Sequence, residues 1–160
     1  MAITEPSADS FEAAFPPACF GLIQEHAPAA YACLRQTYEQ ALCAADPHLL
    51  GLARQRIRLM IDPAAAPLVH SDTDRNGAKL ANVADWSTAE VYTPVERACL
   101  AFAEQFAFSV ADLDDALIAA LLAELPAGDV YGLVNGIYVI DALERLSATL
   151  NRLFNQEGVL

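Results

Sequence analysis

The chain has 160 residues, 55% of them hydrophobic, and 21 acidic against 9 basic side chains give it a net charge of -12. That is the length of one domain with enough apolar content for a single buried core. The charge argues against nucleic acid and anionic membranes as partners, because phosphate binding needs clustered cations.

The longest strongly apolar run, Ala116 to Ala123, stops at Glu124, far short of the roughly 20 residues a membrane helix needs. The acidic N-terminal stretch lacks the apolar region of a signal peptide, so a cytoplasmic location is expected. Residues 1–16 read as a flexible tail ending at Pro16-Pro17, and 17–160 as one helical domain. A short helix is expected from Ala18 to His26, closed by Pro28. A second runs from Ala29 to Ala44, with Ala30, Cys33, Leu34, Thr37 and Ala41 on one face. Asp46 is an N-cap residue with Pro47 at the first helical position. The helix it starts carries Leu49, Leu50, Ala53, Ile57, Met60 and Ile61 at helical spacing. Asp62-Pro63 ends it, because a residue before proline avoids the helical region. Beyond it a short helix is expected around Ala64 to His70, then a turn through Ser71 to Asp74 and another helix to about Ala84.

Signals sharpen after Trp86. Thr93-Pro94-Val95-Glu96 has the pattern of a capping box with proline at the first helical position. Val95, Ala98, Cys99, Phe102, Ala103 and Phe106 form the buried stripe of the helix that follows. Asp112 is expected to cap the next helix, which buries Leu113, Leu117, Ala120 and Leu121. The last helix starts near Asp129 and runs to Phe154, apolar nearly all round in its first half and therefore central. Gly132 and Gly136 in its interior each cost roughly 1 kcal/mol relative to alanine, which implies that another backbone approaches there.

The four cysteines, Cys19, Cys33, Cys43 and Cys99, form no Cys-x-x-Cys pair. Cys33 and Cys43 on one helix are roughly 15 Å apart, too far for a bridge within it. Reduced, mostly buried thiols are expected.

Trp86, the run Thr93-Pro94-x-Glu96-Arg97-Ala98, the segment Ala101-Phe102-Ala103-Glu104 and the Arg145-Leu146 pair on the last helix carry a resemblance. In these features the chain resembles the carboxymuconolactone decarboxylase and alkylhydroperoxidase D (AhpD)-like superfamily, in its peroxidase-related branch. The resemblance covers about residues 48–154 and implies an all-α, AhpD-like bundle of six to eight helices that assembles as a homo-oligomer. It implies redox chemistry only where a cysteine pair and a histidine are present. Anchored on His70, the two thiol positions of that branch fall on Pro63 and Ala66, and its glutamate falls near Gly51. None of these can serve, so a cysteine-based peroxidase is not expected.

His70 is the remaining acid/base candidate, because the decarboxylase branch lacks the cysteine pair yet has a histidine at a similar helical position. The competing reading is a polar residue at a helix boundary, and Ser71, Asp72 and Asp74 beside it are turn and cap residues, so no metal is assigned. Arg54 and Arg58 share a helix face and could hold a carboxylate substrate, or pair with acidic residues. Tyr131, Asn135 and Tyr138 at i, i+4 and i+7 could line a pocket or sit at a helix or subunit interface. Two functions follow: a thiol-free family member that binds a small molecule or plays a structural role, or a cysteine-independent decarboxylase or lactone-processing enzyme. Neither calls for a cofactor. Self-association, as a homodimer or higher, is expected through the last helix or the Thr93–Phe106 helix.

Overall fold

The computed structural model describes residues 11, 15, 17–65 and 76–154. They form α1 (Pro17–His26), α2 (Pro28–Leu42), α3 (Pro47–Ile61), α4 (Asn76–Ala81), α5 (Pro94–Phe108), α6 (Asp115–Glu124) and α7 (Ala127–Phe154). Single 3-10 turns at Val83–Asp85 and Val110–Asp112 interrupt the helices, and no strand occurs among the described residues. The chain is an all-α bundle.

Local chemistry explains the helix starts. Asp46 accepts from the His48 backbone N–H at 2.8 Å with Pro47 behind it. The Thr93 capping box is complete: Thr93 N–H donates to Glu96 Oε2 at 2.7 Å, and Glu96 N–H to the Thr93 hydroxyl at 3.4 Å. The expected cap at Asp112 is corrected to Asp114, whose side chain accepts from Ala116 N–H at 2.9 Å. Asp112 instead accepts from the Ser109 hydroxyl at 2.7 Å, inside a 3-10 turn that delays α6. Leu121 is the fully buried residue of that helix, while Ala120 is exposed.

The centre is built from α3, α5 and α7. Leu50, Ala53 and Ile57 meet Cys99, Phe102 and Ala103 on one side and Leu133, Ile137 and Ile140 on the other. Leu52 and Leu100 point the opposite way, into a second cluster with Leu80, Val83 and Tyr92. Each of α3 and α5 therefore buries two faces. Burial of α7 follows the expected pattern at Gly132, where an added Cβ would lie 1.8 Å from the Ala44 carbonyl oxygen. At Gly136 the neighbour is instead a side chain, with Leu50 Cδ2 at 2.5 Å.

The buried face of α2 is rotated from the one expected. Tyr38 and Ala41 are buried with Tyr31 and Leu34 partly so, while Cys33 and Thr37 are exposed. Aromatic partners decide this. Phe11 and Phe15, within the segment read as a flexible tail, are 0% and 2% exposed and pack edge-on against Tyr38. Phe20 lies 5.2 Å from Phe11, so one aromatic cluster ties the N-terminal segment to α1 and α2.

The turn before α5 is pinned by charge. Arg97 donates to the carbonyls of Trp86 (3.1 Å), Ser87 (3.3 Å) and Ala89. Trp86 Nε1 donates to Glu104 at 2.7 Å, and Arg56 donates to the same carboxylate oxygen at 3.0 Å. None of the described helices is long and apolar enough to cross a membrane.

Candidate functional site

Of the residues singled out in the sequence, His70 lies outside the described residues. Arg54 is a core residue, 8% exposed, and its Nε donates to Glu144 Oε1 at 2.5 Å across the α3–α7 contact. Its Nη1 reaches the Tyr38 hydroxyl at 3.3 Å, and the guanidinium carbon lies 4.7 Å from the Phe15 ring centroid. The carboxylate that Arg54 holds is the protein's own. Arg58, half-buried in the last turn of α3, makes no hydrogen bond to a described residue. Tyr131 and Tyr138 are 74% and 64% exposed, and Asn135 donates to the Tyr131 carbonyl of its own helix at 2.8 Å. Tyr138 sets its ring against the edge of Phe106 and lines a shallow apolar groove with Leu34, Val139 and Leu146. The structure does not bring the predicted arginines and tyrosines together.

It does assemble a polar cluster at the other end of α3. Asp46 starts α3 and so places His48 in its first turn; the capping box places Glu96 in the first turn of α5; α4 contributes Lys79. Glu96, 3% exposed, is saturated with donors. Lys79 Nζ contacts its two oxygens at 2.5 and 2.7 Å, the Thr93 N–H contacts Oε2, and His48 Nε2 contacts Oε1. Burial alone would raise the pKa of this carboxyl, but the hydrogen bonds from Lys79, His48 and Thr93 outweigh it and hold the value down to about 2. The carboxylate is therefore ionised at neutral pH and can only accept. In a neutral His48 the shared hydrogen sits on Nε2, which leaves the Nδ1 lone pair as the basic site of a partly exposed ring.

Two neighbours complete the cluster. The Tyr92 hydroxyl donates to the Lys79 carbonyl at 2.5 Å, and burial, with Glu96 adding to it and Arg97 opposing, pushes its pKa up to about 12. Cys99, one turn beyond Glu96, is fully buried with its Sγ 3.5 Å from the Leu49 carbonyl oxygen. Burial, reinforced by the negative charges of Asp46 and Glu96, pushes this thiol up to about 12 as well. Cys33 and Cys43 are exposed, which corrects the expectation of mostly buried thiols. No group of three metal-ligating side chains occurs among the described residues.

Glu96 stood out in the sequence as a capping residue and within the Thr93–Ala98 run, and His48 only as the residue after a cap and a proline. A cap and a ligand to a buried charge look alike until α4 is placed. No family model, curated protein or solved structure matches the chain.

Proposed function

We propose that this chain is a cysteine-independent member of the AhpD-like, carboxymuconolactone decarboxylase superfamily, serving in small-molecule binding or a structural role rather than in thiol-based peroxide reduction. The observation that supports this reading is Cys99. A nucleophilic thiol needs access and a lowered pKa, whereas this one is sealed in the core and shifted the other way. Cys33 and Cys43 are exposed singletons on and just after α2. A peroxide-reduction assay with a dithiol donor is expected to show no turnover above the protein-free rate. Turnover that disappears when any one of the four cysteines is replaced overturns the reading.

A second reading, a cysteine-independent decarboxylase or lactone-processing enzyme, is supported by the His48–Glu96 dyad. In that chemistry His48 Nδ1 takes a proton from water or from a C–H beside a carbonyl, and the Glu96 carboxylate stabilises the imidazolium formed. His70 is the other candidate base. His48→Gln and His70→Gln variants, assayed on a panel of small lactones and β-keto acids, separate the two. Loss only in His48→Gln assigns the role to the dyad, and loss only in His70→Gln assigns it to the position the sequence suggested.

A further inference from the structure

Where α3, α5 and α7 end together, a groove of about 500 Å³ opens on the surface, a volume in the range of small-ligand pockets. Its floor is apolar, from Met60 and Ile61 of α3. Its walls carry Arg145 and Arg152 of α7 and Phe108 of α5, a residue 78% exposed. In a chain with 21 acidic and 9 basic residues, the described residues of this lining include two arginines and no carboxylate.

The two arginines differ. The Nε of Arg145 is held by both oxygens of Asp141 at 2.9 Å, and its Nη2 donates to the Ala107 carbonyl, which fixes the guanidinium over the end of α5. Its Nη1 makes no hydrogen bond to a described residue. Arg152 lies two helical turns further on, exposed, and pairs with none of the described residues. A fixed guanidinium edge and a charged arm thus flank an apolar floor and an exposed aromatic ring. That is the donor set for one carboxylate on an apolar body, because a guanidinium offers paired N–H donors to a planar anion. The apolar body then covers Met60, Ile61 and the exposed Phe108 face, which the fold leaves in water.

We propose that this groove is a binding site for a small organic carboxylate with an aromatic or alkyl tail. Arg152 supplies the charge, Arg145 the orientation, and Phe108 the stacking surface. The site is separate from the His48–Glu96 cluster and does not rest on the functional reading above.

The test uses 4-phenylbutyrate as probe and 4-phenylbutanol as its uncharged counterpart, by calorimetry and by amide chemical-shift mapping on the full chain. The carboxylate is expected to bind at least tenfold more tightly than the alcohol and to shift amides of Met60, Ile61, Phe108 and Thr149. Arg152→Glu is expected to lower affinity at least tenfold with an unchanged melting temperature, since the side chain is exposed. Phe108→Ala is expected to weaken carboxylate and alcohol alike. Equal binding of carboxylate and alcohol overturns the proposal. Shifts confined to other surfaces overturn it too, as does an Arg152→Glu variant that binds like the parent.

Discussion

Arg54 and Arg152 carry the same side chain in opposite settings. Arg54 is enclosed by Glu144, Tyr38 and the Phe15 ring, so every unit of its charge is spent inside the protein. Arg152 stands at the rim of an open groove with no described partner. Removing one member of a buried pair strands the other charge in a low-dielectric site, whereas an exposed arginine loses only weak, screened interactions. The first kind of arginine holds a fold together, and only the second is available to a ligand. Counting basic residues on a helix face cannot tell them apart.

The largest effect expected from that difference is at Arg54. Arg54→Ala leaves Glu144 buried and unpaired and should cost about 3–5 kcal/mol, measured by denaturant unfolding, while Arg152→Ala should leave the midpoint unchanged. A mild Arg54→Ala phenotype would mean that Glu144 reaches water, and the contrast between the two settings would collapse.

Glu96 is a second buried charge, held by three cationic or polar partners, and it sharpens the comparison through pH. Its pKa is lowered from 4.5 to about 2, so its contribution is fully present above 4.5 and is lost as pH falls from there through 2. The loss amounts to about 3 kcal/mol. Glu96→Gln should flatten that acid limb of the stability profile. An unchanged limb in the variant would show that other carboxylates set the acid sensitivity.

Packing gives the next effect. Gly132→Ala drives a Cβ into the Ala44 carbonyl and should destabilise by about 1–3 kcal/mol despite the better helix propensity of alanine. Gly136→Leu, which meets the Leu50 side chain, should fall in the same range of about 1–3 kcal/mol. Chemical denaturation of both variants checks this, and a Gly132→Ala variant as stable as the parent would place the α2–α3 turn further from α7.

The smallest effect concerns assembly. The apolar groove beside Tyr138 and Leu146 differs from the Arg152 groove in having no charged side chain among its described lining residues, and we expect it to be covered by a second copy of the chain. Light scattering at micromolar concentration should give a multiple of the 17.1 kDa chain mass, reduced toward one chain by Tyr138→Glu. The monomer mass in the parent would refute this.

Much of the secondary structure was legible because it is set locally. The starts at Pro47 and Pro94 and the stop at Ile61 follow from caps and proline geometry within four residues. The burial of Cys99 followed from helical periodicity, and a close approach at Gly132 from the cost of glycine in a helix. What one helix meets is a different matter. The face of α2 turned on aromatic rings at Phe11, Phe15 and Phe20, the role of Arg54 on a glutamate 90 positions away, and the Glu96 cluster on Lys79 arriving from α4. Periodicity reports that a face is buried but carries no record of its partner. Whether an arginine is a structural ion or an open binding group is therefore decided only when the helices pack.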